Sequence, residues 1–222
     1  MTRIFAIVNQ KGGVGKTTTA VNVATSLAAI GKQVLIIDLD PQGNASTGLG
    51  IETAKRVKTA YQVLISQTKL HDAIMPTIIP RLFMVPSTID LSGAEIELVN
   101  MEEREYKLQQ ALAEIPTGFD YVLIDCPPSL SLLTVNALAA SDTVLIPLQC
   151  EFYALEGLSH LLKTVKLIRT HLNPKLTIHG VILTMYDRRN RLTEHIEADV
   201  RSFLGDEVYK TVIPRNVRMS EA

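Results

Sequence analysis

Short runs of apolar residues alternate along this chain with longer stretches in which apolar positions recur every three or four residues. Arg3 to Val8 is mostly apolar and ends in the glycine-rich Lys11 to Gly15, the pattern of a buried strand entering a tight turn. From Thr17 to Ile30 the residues Ala20, Val23, Ala24, Leu27 and Ala28 share one helical face, and Gly31 stands where a left-handed C-terminal cap is common. Val34 to Ile37 reads as a second buried strand, with Asp38 and Asp40 at its carboxyl end. Leu82 to Val85, Tyr121 to Ile124, Thr143 to Ile146 and Leu176 to Leu183 continue the series of strands. Leu155, Leu158, Leu161, Leu162, Val165, Ile168 and Leu172 trace one face of a long helix, which Asn173-Pro174 ends. Residues 43–60 and 66–80 have weak periodicity and are expected to be loops with short helices. Strand and helix in alternation predict an α/β fold, with a mainly parallel central sheet covered by helices on both faces.

Composition narrows this picture. The 222 residues match one domain, and 46% apolar with 20% charged residues is far from the signature of disorder. Twenty-two Lys and Arg against 23 Asp and Glu leave a formal charge of −1, so any nucleic-acid site has to be local. No uncharged apolar run reaches the roughly 18 residues of a membrane span, and Met1 opens directly into a strand-like run, so a soluble, cytoplasmic protein is expected. Cys126 and Cys150 form neither a disulfide framework nor a zinc pattern. The charge is unevenly spread. From Gly157 to Thr193 the only acid is Asp187, against Lys163, Lys166, Arg169, Lys175, Arg188, Arg189 and Arg191. From Asp90 to Glu105 six acids face only Arg104, so one surface is expected to be basic and another acidic.

The strongest chemical signal is Lys11-Gly12-Gly13-Val14-Gly15-Lys16-Thr17-Thr18, set between a buried strand and an amphipathic helix. Glycines let successive backbone N–H groups turn inward around phosphate oxygens, and the helix behind them adds its positive end. Lys16 is placed to reach the β and γ phosphates and Thr17 to put its hydroxyl on Mg2+. The loop departs from the standard pattern, whose first glycine would fall at Gln10, and carries a second lysine, Lys11. Asp125, after the strand Tyr121 to Ile124, occupies the position of a carboxylate that holds Mg2+ through water. Asp40, in Asp38-Leu39-Asp40-Pro41-Gln42-Gly43, is a candidate to orient an attacking water, and Asp38 competes with it.

These residues carry a family resemblance. The loop Lys11 to Thr18, Asp40-Pro41-Gln42-Gly43-Asn44, Asp125-Cys126-Pro127-Pro128-Ser129 and Ile213-Pro214-Arg215-Asn216-Val217-Arg218 closely resemble the ParA/Soj family of chromosome and plasmid partitioning ATPases, essentially end to end. The resemblance implies ATP/ADP and Mg2+ as cofactors and an ATP-sandwiched homodimer. Lys11 would be the signature lysine that crosses the interface to the partner's nucleotide, and Gly12 the position where the two chains approach too closely for a side chain. Asp40 would be needed for hydrolysis and Asp125 would be the second switch. Pro214 and Asn216 would read the adenine, with Met185 a further candidate, while Gly13, Val14, Gly15 and Thr18 complete the phosphate cradle. Arg189 and Arg218 would bind double-stranded DNA without sequence preference, and Lys163 and Lys166 join them on the charge argument. A ParB-type centromere-binding protein would stimulate an otherwise slow hydrolysis, and the protein would sit on the nucleoid.

Two other classes share parts of the pattern. A MinD-like switch would use the same ATP dimer to hold an amphipathic helix on a membrane, but no such basic tail is visible. An electron carrier like the nitrogenase iron protein would need Cys126 or Cys150 as cluster ligands, in surroundings that do not match. The family pattern runs past Met219-Ser220-Glu221-Ala222, so a single domain truncated before a C-terminal helix is expected.

Overall fold

The computed structural model describes residues 2–115 and 118–216. Strands β1 (Arg3–Ile7), β2 (Val34–Asp38), β3 (Met75–Pro76), β4 (Leu82–Val85), β5 (Tyr121–Asp125), β6 (Thr143–Gln149), β7 (Thr177–Tyr186) and β8 (Val208–Pro214) form one sheet in the order β3-β4-β2-β5-β1-β6-β7-β8. All pairs are parallel except the two-residue edge strand β3. The connections include helices α1 (Lys16–Ala29), α2 (Asn44–Gly48), α3 (Ala60–Leu64), α4 (Leu70–Ala73), α5 (Leu91–Leu98), α6 (Lys107–Ala113), α7 (Leu132–Ala140), α8 (Ala154–His171) and α9 (Arg191–Leu204).

Alternation along each strand sorts the core into two layers. Ala6, Val8, Leu35, Ile37, Val122, Ile124, Val144 and Ile146 face one side, where α3 and α5 to α9 cover them. Phe5, Ile7, Val34, Ile36, Leu123 and Leu145 face the other, against Ala20, Ala24 and Ala28 of α1 and Ala45 of α2. Small alanines let α1 sit close to the sheet, so its N-terminus is held firmly at the carboxyl edge.

The expected strands all form, several of them longer than expected: β6 runs on to Gln149 and β7 to Tyr186. Helix α1 begins one residue before Thr17, and Gly31 takes φ 90° as the cap pattern requires. Residues 43–60 and 66–80 hold the short helices α2 and α4, with β3 in addition.

Candidate functional site

Because the long strands are parallel, their carboxyl ends share one edge, and the segments leaving β1, β2, β5, β6, β7 and β8 meet there. Gly13 and Gly15, at φ 73° and 86°, take the left-handed conformation that turns the loop after β1 back on itself, which any side chain would strain. No acid stands in the first turn of α1, so its unpaired N–H groups and dipole offer an uncompensated anion seat. Two polar side chains fix the loop. Asn9 Nδ2 donates to the Pro147 carbonyl at 2.7 Å while its Oδ1 accepts the Lys11 N–H at 3.0 Å. The Thr184 hydroxyl donates to the Val14 carbonyl at 2.7 Å. Lys16 is buried, its Nζ donating to the Lys11 carbonyl at 3.0 Å. Burial lowers its pKa, and Asp125, Asp40 and Cys126 oppose that shift.

Three aspartates stand at this edge, of which Asp125 and Asp40 act on Lys16. Asp38 and Asp125 are paired neighbours at the ends of β2 and β5. Asp38 is saturated: it accepts the N–H of Asp40 at 3.1 Å, the N–H of Ser46 at 2.9 Å and the Ser46 hydroxyl at 2.7 Å, so it holds the following loop. Burial still pushes it up to about 6. Asp40 is also buried, with Oδ1 accepting the Gln42 N–H at 3.0 Å. Asp125 differs from both, since neither of its fully buried oxygens meets a donor at bonding geometry. Burial, compounded by Asp38 and opposed chiefly by the Thr17 hydroxyl, pushes it up to about 8. An orphaned carboxylate beside a hydroxyl, at the mouth of a phosphate-type loop, is an all-oxygen donor set that suits a partly hydrated Mg2+.

On the far side of α1 lies a cavity of about 330 Å3. Met185, Pro214 and Asn216 all line it, together with Ile182, Ile213, Arg215 and the α1 residues Thr18, Asn22 and Val23. Apolar walls beside a phosphate loop have the size and character for a planar base. Met185 holds φ 48°, unusual for a side-chain-bearing residue, and so presents itself to the cavity.

The family described as an AAA domain matches residues 2–178. The chromosome partitioning protein ParA of Caulobacter vibrioides is 57% identical over 222 residues, spanning 99% of this chain and 83% of that protein. The sporulation initiation inhibitor protein Soj of Bacillus subtilis is 56% identical, spanning 100% of this chain and 88% of its own length. This chain belongs to the ParA/Soj family of partitioning ATPases. A Mycobacterium smegmatis protein named cobyrinic acid a,c-diamide synthase, solved with bound ADP and magnesium, superposes at TM-score 0.92 with 39% identity, covering 97% of this chain and 88% of that one.

In this ParA/Soj chain the two loop lysines part company. Lys16 points inward, whereas Lys11 is exposed and pairs with the exposed Glu151 just beyond β6. Phe152 and Tyr153 follow, stacked edge to face at 5.1 Å and exposed. Lys163 and Lys166 lie exposed on α8, and Arg189 lies exposed in the loop before α9, so the structure leaves these cations on the surface. Arg218 lies outside the described residues. Cys126 and Cys150 are both buried core residues. Among the described residues no helix is long and apolar enough to cross a membrane.

Several site residues gave no warning in the sequence. Asn9 and Thr184 brace the loop, and buried Arg56 bonds the carbonyls of Ile51 and Ser87 and the Thr47 hydroxyl, at 2.7 to 3.1 Å. Its partners are backbone groups and a hydroxyl from separate segments, which no local motif records.

Proposed function

We propose that this chain is a DNA-partitioning ATPase in which Mg-ATP binding closes a sandwich dimer that holds nonspecific DNA, and that a ParB-type partner stimulates hydrolysis and release. The observation that carries the reading is the division between the two lysines of one loop. Lys16 serves the β and γ phosphates of its own site, while Lys11, held only by a solvent-exposed pair with Glu151, exchanges that weak contact for a phosphate bound by a second copy. Phe152 and Tyr153 continue the same exposed edge and supply apolar area for the dimer.

Backbone N–H groups of Gly13 to Thr18 cradle the phosphates, and Met185, Pro214 and Asn216 hold the base in the cavity. Thr17 and, through water, Asp125 would hold Mg2+, which would supply positive charge to neutralise the phosphate oxygens. Asp40 orients the attacking water, and its bond to the Gln42 N–H sets its direction before nucleotide arrives. Hydrolysis is slow until a partner completes this arrangement, so the nucleotide acts as a timer. In the dimer the surfaces carrying Lys163, Lys166 and Arg189 are doubled, making many weak phosphate contacts strong together. The name of the M. smegmatis neighbour denotes a different chemistry, and the relatives more similar in sequence favour partition.

Mass measurement by light scattering, alongside ATP turnover, tests this reading. Lys16→Ala should abolish nucleotide binding, whereas Lys11→Ala should bind ATP, remain monomeric and fail to hydrolyse it. Turnover in Lys11→Ala equal to the parent, or turnover per chain independent of protein concentration, would contradict the sandwich.

A further inference from the structure

Strand β7 ends at Tyr186, and the next residue is the one acid of the basic stretch from Gly157 to Thr193. Asp187 spends its carboxylate on Arg189. Oδ1 accepts the Arg189 Nε–H at 3.0 Å and the Arg189 backbone N–H at 3.1 Å, and Oδ2 accepts Nη2–H at 2.9 Å. The Arg189 side chain is 89% exposed and the Asp187 side chain 28%, so the fork sits on an open surface. Its bonds to Arg189, with the charge of Arg215 a smaller influence, push Asp187 down to about 2, which keeps it ionised.

We propose that Asp187 is a positioning residue that sets DNA affinity through Arg189, occupying its guanidinium when DNA is absent and competing with a DNA phosphate for the same donors. This rests on the partition reading above. A carboxylate and a phosphate both seek the two-donor edge of a guanidinium, and one edge serves one anion at a time. The Asp187 pair is exposed, hence weak enough for a polyanion to displace. Arg215, whose N–H donates to the Tyr186 carbonyl at 3.0 Å, remains to balance the released carboxylate. The placement also matters: Met185 and Arg215 line the cavity, so Asp187 lies two residues beyond the segment that a bound base would touch.

Asp187→Asn keeps an Oδ1 acceptor for the Arg189 backbone N–H and removes the charge, and Asp187→Ser gives a second route should Asn perturb the loop. Anisotropy titrations with a short random-sequence duplex, in Mg-ATP across a salt series, would compare the parent, both variants, Arg189→Ala and the double variant Asp187→Asn with Arg189→Ala. Removing the charge should tighten binding about 2-fold to 5-fold per protomer and steepen the log–log salt dependence by about one. In the Arg189→Ala background the same change should shift affinity less than about 2-fold. Unchanged or weaker binding in both Asp187 variants would overturn the proposal, as would equal tightening with and without Arg189, which marks a general charge effect. Failure of every protein, parent included, to bind DNA would instead refute the partition reading on which the proposal stands.

Discussion

Gly12 has no positive φ, and a Cβ built on it would meet only the Pro128 Cβ, at 4.0 Å. Nothing among the described residues therefore demands glycine there, in contrast to Gly13 and Gly15. The account places that demand in the second protomer, so Gly12→Val should fold with the parent's thermal stability, bind ATP and stay monomeric by light scattering. An ATP-dependent dimer of Gly12→Val would remove Gly12 from the interface. Asp125 makes a different prediction. It and Asp38 are raised to about 8 and about 6, from an ordinary 3.8. Below about pH 4 folded and unfolded chains both hold these protons. Between there and pH 8 the folded chain keeps protons that the unfolded chain has released, so metal-free stability falls as pH rises. Above about pH 8 both states are ionised and the whole penalty stands. Asp125→Asn should then be more stable than the parent in EDTA at pH 8, by about 1–3 kcal/mol in urea denaturation, with a flatter pH dependence. A parent that gains stability from pH 5 to pH 8 would contradict this electrostatic picture.

Elements were legible in the sequence in proportion to their burial. Strands β1, β2, β4, β5, β6 and β7 announce themselves as apolar runs because helices cover both of their faces. Strand β8 does not, since Tyr209, Lys210 and Thr211 interrupt it at the edge of the sheet, and its core contribution is mainly Val208. Helix α9 escaped for a similar reason: only Thr193, Ile196 and Val200 are buried in a charge-rich stretch. At the site, Lys16, Thr17 and Asp125 are legible from motif position at strand ends, whereas Met185, Pro214 and Asn216 come only from the family resemblance; the fold gathers those three around one cavity. The residues alone leave the choice between Asp38 and Asp40 open; Asp38 accepts bonds from Asp40 and Ser46, whereas Asp40 accepts one from the Gln42 N–H. Arg56 is the element-scale brace that local sequence could not show, tying Ile51, Thr47 and Ser87 around the segment that follows Asp40. Arg56→Met should cost about 2–4 kcal/mol in urea denaturation, because it strands the buried Ile51 and Ser87 carbonyls. On α8, reversing Lys163 and Lys166 together to Glu should lower DNA affinity at least about 10-fold and reduce the salt slope by about two. A salt slope equal to the parent's would place the DNA elsewhere.

At the scale of the whole molecule, the parallel sheet brings phosphate loop, carboxylates and base cavity to one edge, while α8 and the loop before α9 carry cations on the surface. No net positive charge draws this protein to DNA, since its formal charge is −1. On the proposed function, affinity for DNA comes from doubling a local surface through a nucleotide-controlled dimer. The most direct measurement is therefore binding of Asp40→Ala protein to nonspecific duplex DNA at one moderate salt concentration, with ATP and Mg2+ in one arm and ADP and Mg2+ in the other. The account predicts that the hydrolysis-deficient dimer binds DNA with ATP and releases it with ADP. Equal binding in the two arms, or none in either, would contradict a nucleotide-gated grip on DNA.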